Sequence, residues 1–491
     1  MNKRLIIKIV GLILMLEAAF MLLPLIVAFI YNEHDWKYFL PVILISAAVG
    51  GIFFKIKLKK KHLYAKEGLL IVGLAWVVMS LIGAVPYFVS GFIPDFINAI
   101  FESVSGFTTS GISVAADVES ASHAMLFWRS LTHWIGGMGV LVFMIAITPV
   151  VGGSSMYLMK AEAPGPSTEK IRPKISQTAK WLYAMYFVLT GCQIIALMIS
   201  GLTLFQSTLI SFGTLATGGF SYLNTSLATF SVAQQIIVEV FMILAGVNFS
   251  LYFLVITGKA RKAIKDIELK IYLIIIAGVS ACVALNVILS SGSGQSVGMI
   301  IHHSIFGVIT TLTSTGFAAY DYNLWPSFSK LLLVLIMFVG GCAGSTAGGI
   351  KVSRIVMSVK SISRNIKDTV NPKGVNAIRY NGRPASDTMI ISVVIYVLLI
   401  VAITVISMLI VSFEPGMDTQ TSLATVATAL NNNGIEIKSA GVGTFSSFSW
   451  WSRLVYIIDM LIGRLEIFPI LAIFVYAFKP VKKLKGKFKR F

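Results

Sequence analysis

GFTTSGIS, at residues 106–113, is the first of four polar stretches that each centre on a glycine and follow an apolar segment too short to cross a membrane. The other copies are LATGGFS (215–221), LTSTGFA (312–318) and LNNNGIE (430–436). Their alignment places four glycines in one column, at intervals of 108, 97 and 118 residues: Gly111, Gly219, Gly316 and Gly434. Repetition at about a hundred residues indicates one structural unit that is used four times.

The composition indicates a membrane protein. Of the 491 residues, 56% are hydrophobic and 12% are charged, and the mean hydropathy is +0.84. Soluble domains carry about 25% charged residues. Hydropathy predicts an all-α polytopic fold with ten spanning helices, at 5–31, 39–54, 67–91, 124–149, 178–201, 232–257, 270–292, 328–350, 386–412 and 452–478.

The distribution of basic residues predicts the orientation in the membrane. Of the 40 Lys and Arg, 34 lie in the two termini or in four alternate loops, 55–66, 160–180, 259–270 and 351–383. Such loops are cytoplasmic by the positive-inside rule, so both termini are expected in the cytoplasm. The net charge of +19 therefore indicates contact with membrane lipid rather than with nucleic acid. The basic tail, 480–491, is a candidate for binding anionic lipid headgroups or an acidic cytosolic partner.

The predicted helices divide into an N-terminal pair, within 1–64, and four helix–pore-loop–helix repeats with pseudo-fourfold symmetry. The repeats cover 65–153, 175–258, 268–357 and 385–479. Each holds a half-helix before its glycine stretch, at 94–106, 204–215, 297–311 and 417–429. At about 1.5 Å per residue, such a helix cannot cross about 30 Å of hydrocarbon. Non-helical backbone persists at membrane depth only where protein buries it or where it lines a wet cavity, so the four stretches are expected to face one another around one pore.

The residues just before each aligned glycine predict the ion that the pore conducts. All are small or polar and none is acidic. Glycine tolerates positive φ and has no Cβ, so it can turn neighbouring carbonyls towards the axis. Neutral carbonyls and hydroxyls suit a monovalent cation, whereas calcium sites favour carboxylates, and the negative C-terminal end of each half-helix also favours a cation. The alternative is four ordinary helix caps without a pore, which the four aligned copies disfavour.

The second helices of the repeats also align with one another. The aligned segments are IGGMG (135–139), LAGVN (244–248), VGGCAGSTAGG (339–349) and IGRLE (462–466). The third is so rich in glycine that a continuous helix is unfavourable, at about 1 kcal/mol per glycine relative to alanine. Small residues can serve close helix packing. The density of glycine instead favours a flexible loop that obstructs the pore beneath the ion filter, which is the part of the pore that the four glycine stretches are expected to line.

Arg464 lies in the middle of the last predicted span, where an uncompensated cation costs at least about 2.5 kcal/mol. Asp459 and Glu466 do not have the helical spacing of an ion pair with it, so a carboxylate on another element is expected, with Glu239 and Glu102 as candidates. Arg464 is either half of a buried pair or a fixed positive charge that hinders cations below the filter. Both roles are compatible with the sequence.

Other polar and aromatic residues carry weaker signals. Arg129 and Trp128, like Trp450, Trp451 and Arg453, are expected to anchor outer helix ends at the membrane interface. The histidines are expected to pack rather than to bind metal, and the three cysteines form no spaced cluster.

With the four glycine stretches, the GGCAGSTAGGIK stretch and the arginine of the last helix, the sequence closely resembles the Trk/Ktr/HKT superfamily over essentially its whole length. The extra N-terminal helices resemble the bacterial Trk-type potassium-uptake membrane subunit. This resemblance implies potassium as the transported substrate and a location in the bacterial cytoplasmic membrane. It implies potassium binding at Thr109, Ser110, Gly111, Thr217, Gly218, Gly219, Ser314, Thr315, Gly316, Asn432, Asn433 and Gly434. It implies an intramembrane gate formed by Gly340, Gly341, Gly344, Ser345, Thr346, Gly348, Gly349 and Arg464.

The resemblance also implies partners, namely a second copy of the chain in a homodimer and a cytosolic ring of nucleotide-binding regulatory subunits. No G-x-G-x-x-G motif follows a strand pattern here, so a nucleotide is expected to bind the separate subunit. Gly111 stands where sodium-preferring plant relatives often carry serine, which favours potassium, whereas Ser110 departs from a threonine-rich filter and leaves the margin over sodium open.

Two other classes of membrane protein fit the sequence less well. A secondary transporter that couples sodium or proton movement to a cation or small solute also has repeats and broken helices, but usually in two halves. A membrane-embedded enzyme would need a convergent set of nucleophile, base or metal ligands, which this sequence does not offer. The sequence therefore predicts a cation-conducting protein and not an enzyme.

Overall fold

The computed structural model describes residues 2–58, 65–139, 175–290, 296–372, 376–439 and 443–478, and this part of the chain is helical almost throughout. The helices are α1 (Lys3–Ile30), α2 (Trp36–Phe54), α3 (Ala65–Val89), α4 (Phe96–Thr108), α5 (His123–Gly137), α6 (Ile175–Ile199), α7 (Leu204–Leu215), α8 (Val232–Gly246), α9 (Phe249–Ile256), α10 (Ala260–Ile264), α11 (Ile267–Leu289), α12 (Val297–Leu312), α13 (Ser327–Met337), α14 (Val352–Val370), α15 (Asp387–Val411), α16 (Thr419–Leu430), α17 (Trp450–Leu465) and α18 (Phe468–Phe478). A short antiparallel hairpin pairs β1 (Arg379–Tyr380) with β2 (Arg383–Pro384). The predicted all-α class is confirmed.

Six helices in the described part of the chain are long and apolar enough to cross a membrane, and α8 with α9 makes a seventh if that bent pair counts as one span. The six are α1, α2, α3, α6, α11 and α15. Their outward apolar side chains are exposed, as at Ile30 and Leu289, which suits contact with lipid. The chain is a multi-pass membrane protein. The count of ten stays a prediction, since the span predicted at 124–149 runs beyond residue 139 and partly outside the described residues.

The N-terminal pair packs against the first repeat. Helices α1 and α2 cross at two glycines, where a Cβ on Gly11 would lie 2.8 Å from the carbonyl oxygen of Gly50. Only residues without a side chain allow the two backbones to approach this closely. Helix α1 then contacts α3 and α5, the two helices that flank the half-helix α4 in the chain.

Four half-helices, α4, α7, α12 and α16, contain 12 to 16 residues each, too few to span the hydrocarbon. Each begins at a polar residue whose side chain accepts a hydrogen bond from a backbone N–H in the first turn. These N-caps are Asp95, Thr203, Ser296 and Asp418. Such caps satisfy amide groups that a helix start leaves without partners, so the start of each half-helix is encoded locally.

The second helices of the repeats end within or just before their aligned segments. Helix α5 ends at Gly137, and α8 ends at Gly246 before a bend of 92° into α9. Helix α13 ends at Met337, and α14 begins only at Val352, after the glycine-rich stretch. Helix α17 ends at Leu465, after which Glu466 has a φ of 55°. The span predicted at 232–257 is therefore bent and the span predicted at 452–478 is interrupted, whereas the break that glycine predicts within 328–350 is present. Glycines or residues with positive φ follow the ends of these helices.

Candidate functional site

The four half-helices end in the same backbone conformation. The residue two positions before each aligned glycine is left-handed, with φ of 58°, 55°, 52° and 51° at Thr109, Thr217, Ser314 and Asn432. Its N–H bonds the carbonyl three residues back, at 3.0–3.3 Å, and the next N–H bonds the carbonyl five residues back, at 2.8–3.0 Å. This pair of bonds defines a Schellman motif, which usually has glycine at the left-handed position. Four non-glycine residues there indicate strain of about 1–3 kcal/mol each, a feature that concentrates at functional sites.

The aligned glycines bring the four stretches into a closed ring. A Cβ added to Gly111 would fall on the carbonyl oxygen of Gly218, just before the second glycine. In the same way, a Cβ on Gly219 would fall on the carbonyl oxygen of Thr315, and a Cβ on Gly316 on that of Asn433. A Cβ on Gly434 would lie 2.7 Å from the carbonyl oxygen of Ser110, which closes the ring. Each glycine also has positive φ, between 77° and 88°, so this position excludes a side chain by conformation as well as by space.

Some of the buried polar atoms at this ring have no hydrogen-bond partner. Among the described residues they include Ser110 Oγ, both amide atoms of Asn432 and Asn433 Oδ1. All three residues are at most 1% exposed. Buried polar groups almost always have a partner from protein, water or an ion. The ring therefore presents neutral oxygens that can replace the hydration shell of a cation.

The glycine-rich stretch forms a loop directly beneath the ring. Gly348 N donates to Ser314 Oγ at 2.5 Å, and a Cβ on Gly348 would fall on the carbonyl oxygen of Asn431. Positive φ at Gly340, Gly344 and Gly349, between 73° and 75°, gives the stretch its non-helical path. It lies against the underside of the third and fourth half-helices.

The break between α8 and α9 holds this loop in place. Cys342 N donates to the carbonyl of Gly246 at 2.9 Å, and Thr346 Oγ1 donates to that of Ala245 at 3.2 Å. Phe249 N donates to the carbonyl of Gly344 at 3.1 Å. The carbonyls at the end of α8, which have no partner within that helix, thus accept donors of the loop.

Arg464, in the fourth repeat, connects the loop to the first repeat. Its Nη1 donates to Thr109 Oγ1 at 3.2 Å and to the carbonyl of Thr346 at 3.1 Å, and its Nη2 donates to the carbonyl of Gly136 at 2.5 Å. Of the carboxylates expected as its partners, Glu102 bonds Arg129, and Glu239 lies 3.5 Å from His302. Those two pairings with Arg464 were predicted wrongly, because sequence spacing does not determine which elements pack together.

Arg129 is not an interfacial anchor. It is 3% exposed, and its Nε donates to Glu102 Oε1 at 2.6 Å. Trp128 beside it is fully buried and donates to the carbonyl of Gly83 at 3.0 Å. The sequence signal missed for Arg129 was Glu102, a lone acidic residue inside an apolar half-helix that must be paired to be buried.

Outside the membrane, polar side chains join the segments that follow the first two glycine stretches. Asn224 Nδ2 donates to Asp117 Oδ1 at 2.7 Å, and Asn224 Oδ1 accepts from Val118 N at 2.9 Å. The hydrogen bond from Asn224 lowers the pKa of the Asp117 carboxyl below its usual value. In the part of the chain that the structure describes, no group of three or more His, Cys, Asp and Glu side chains could hold a metal ion.

Comparisons with known proteins agree with these features. A family model described as TrkH, cation transport protein, matches residues 35–479. The Trk system potassium uptake protein TrkH of Escherichia coli K12 is 34% identical over 491 residues, which span 97% of this chain and 99% of that protein. TrkG of the same strain is 32% identical over 474 residues, covering 94% of this chain and 96% of that protein.

A solved structure is similar as well. The crystal structure of the potassium transporter TrkH from Vibrio parahaemolyticus matches with a TM-score of 0.86 and 31% sequence identity, over 96% of this chain and 98% of that one. Family and fold thus agree over nearly the full length. The chain belongs to the TrkH family of cation transport proteins, and its role is transport rather than catalysis.

Proposed function

We propose that this protein mediates potassium uptake across the bacterial cytoplasmic membrane. The closed ring of four glycine stretches is the observation that carries the proposal, since it surrounds one axis with neutral oxygens and excludes side chains at four positions. Potassium is favoured as the substrate because relatives of similar length are named for its uptake.

The proposed filter uses the residues of the ring. Potassium binds the carbonyls and hydroxyls of Thr109, Ser110, Gly111, Thr217, Gly218, Gly219, Ser314, Thr315, Gly316, Asn432, Asn433 and Gly434. Carbonyl oxygens replace the water that a potassium ion loses, and neutral ligands allow the ion to leave again. The C-terminal ends of four half-helices add partial negative charge at the same place.

The proposed gate lies below the filter. It comprises the glycine-rich loop, with Gly340, Gly341, Gly344, Ser345, Thr346, Gly348 and Gly349, together with Arg464. Hydrogen bonds from Gly348 to Ser314 and from Arg464 to Thr109 join the gate to the base of the filter. Potassium passes once these bonds break and the loop moves aside.

Three further features belong to this proposal. The basic loops face the cytoplasm, so both termini lie inside. Two copies of the chain form a homodimer. Each copy has its own pore, which the four repeats within 65–479 surround. A cytosolic nucleotide-binding subunit regulates the gate, and this chain itself binds no nucleotide.

Purified protein in proteoliposomes tests the function. Uptake of rubidium, which serves as a potassium analogue, is compared with uptake of sodium. The potassium gradient is directed outward, and the pH and the sodium concentration are equal on both sides of the membrane. Selective rubidium uptake under these conditions supports a potassium pathway that needs no coupled ion. Uptake that appears only with an imposed sodium or proton gradient supports a repeat-built secondary transporter instead, and equal sodium and rubidium uptake by folded protein contradicts the filter.

A further inference from the structure

A buried ion pair lies just outside the proposed filter. Glu102, on α4, is fully buried, and Arg129, on α5, is 3% exposed. Arg129 Nε donates to Glu102 Oε1 at 2.6 Å. A buried pair of this kind is a weak argument for stability, because desolvation of both charges offsets much of their attraction. Its location next to the ring points to another role.

Each partner contacts a different glycine stretch. Glu102 accepts hydrogen bonds from Ser113 Oγ at 3.0 Å and from Val114 N at 2.8 Å, both in the segment that leaves the first ring glycine. Arg129 Nη1 donates to the carbonyl of Ser221 at 2.8 Å, two residues after the second ring glycine. Its guanidinium carbon lies 3.6 Å from the ring centre of Phe220. The pair therefore ties the first stretch to the second.

In the described residues, neutral hydrogen bonds join the second stretch to the third and the third to the fourth, while Arg464 of the fourth repeat donates to Thr109 Oγ1 of the first stretch at 3.2 Å. Between the second and third, Leu227 N donates to the carbonyl of Ala318 at 2.9 Å, a neutral contact. Between the third and fourth, Asn433 Nδ2 donates to the carbonyl of Thr311 at 2.6 Å. Hydrogen bonds to charged groups are roughly twice as strong as neutral ones. The first junction is thus held by a stronger and charged contact than these two.

We propose that Glu102 and Arg129 are positioning residues that set the ion selectivity of the filter. They fix the separation of the first and second stretches, and they keep the outer end of the ring electrically balanced. The inference rests on the proposed function, because it assigns a role at the same filter. Neither side chain binds the ion; they act through their contacts with residues 113–114 and 221 and through the balance of their two charges.

The two roles make different predictions for different variants. Lysine at position 129 keeps the charge but loses the planar fork, so it cannot reach Glu102 and the Ser221 carbonyl together. Glutamine at position 102 leaves the Arg129 charge uncompensated beside the ring, and this positive charge repels cations. Glutamine at both positions restores balance without restoring the charged contact.

The test measures rubidium and sodium uptake by wild type, Arg129→Lys, Glu102→Gln and the double variant Glu102→Gln/Arg129→Gln. Arg364→Lys is the matched control, because Arg364 pairs with the exposed Asp387 far from the ring. We expect Arg129→Lys to raise the sodium-to-rubidium uptake ratio about fivefold. Glu102→Gln is expected to lower uptake of both ions about tenfold. The double variant is expected to recover the uptake rate of the wild type but not its sodium-to-rubidium uptake ratio.

Each outcome bears on the inference. A folded Arg129→Lys protein with an unchanged ratio overturns it, while the wild type remains selective and the proposed function stands. A wild type that takes up no rubidium overturns the proposed function itself. If Arg129→Lys does not fold, Ser113→Ala removes one donor to Glu102, together with the acceptor of Ala115 N, and its unchanged ratio overturns the inference as well.

Discussion

Glu268 and Tyr380 join the glycine-rich loop to the hairpin that precedes α15. The Tyr380 hydroxyl donates to Glu268 Oε2 at 3.2 Å. The other oxygen of Glu268 accepts from Ala343 N, within the loop, at 2.7 Å and from Ser353 N, in the first turn of α14, at 2.9 Å. One carboxylate at the start of α11 thus contacts the proposed gate, the first turn of α14 that follows it, and the hairpin. Burial and the Glu268 charge raise the pKa of Tyr380, so its hydroxyl stays protonated and donates.

Tyr380→Phe removes the hydrogen bond to the hairpin and leaves both bonds to the loop in place. We expect a stability loss of about 1 kcal/mol, typical of one hydrogen bond, and resting rubidium uptake about twofold above wild type. Thermal unfolding and uptake are measured on one preparation. Tyr38→Phe, on α2, is the control for loss of a tyrosine hydroxyl away from the pore. Unchanged resting uptake would show that the hairpin does not restrain the loop.

Gly111→Ser is expected to weaken discrimination against sodium. The new Cβ falls on the carbonyl oxygen of Gly218 and at a φ of 78°, so the first and second stretches must separate. We expect the sodium-to-rubidium uptake ratio to rise about tenfold, as for a lost close contact in a selective site. Gly91→Ser is a matched control, since Gly91 has a φ of 76° and open space around its Cβ position. Equal ratios in the two folded variants would refute the filter assignment.

Removal of residues 343–346 shortens the loop beneath the ring and deletes its bonds to Glu268, Phe249 and Ala245. If the loop closes the pore, resting rubidium uptake should rise several-fold in the absence of any partner. If the glycines serve only helix packing, the shortened protein should misfold or lose uptake. Size-exclusion profiles and uptake on the same sample separate the outcomes, and a folded variant with equal or lower uptake contradicts the gate.

Arg464→Gln removes a positive charge from beneath the filter while keeping a side chain that can donate. We expect faster rubidium uptake, because local repulsion of cations is lost and the loop is held by fewer bonds. The lost bonds to Thr109, Thr346 and Gly136 should lower the free energy of unfolding by about 1.5–3 kcal/mol. Arg464→Lys, which retains the charge, is the control and should stay slow. A large stability loss without faster uptake would falsify the barrier and leave a structural role.

Much of the fold was predictable because its signals are local. Half-helix lengths follow from apolar runs, and the caps at Asp95 and Asp418 lie within three residues of the amides that they bind. The break in the third repeat follows from glycine, which disfavours a helix wherever it is placed. The four aligned glycines likewise report a backbone requirement, positive φ, that only their own residue type meets easily.

Pairing of charges was not predictable, because partners far apart in sequence meet only in the folded chain. Arg129 was expected at the membrane surface, yet it is buried against Glu102, which is 27 positions away. Arg464 bonds Thr346 and Gly136, which are 118 and 328 positions away. The apolar and glycine pattern by itself predicted that the four glycine stretches face one another, and the structure brings them into one ring. Only tertiary packing decided which side chains hold those loops, since a buried charge binds whatever donor or acceptor the neighbouring helices bring within reach.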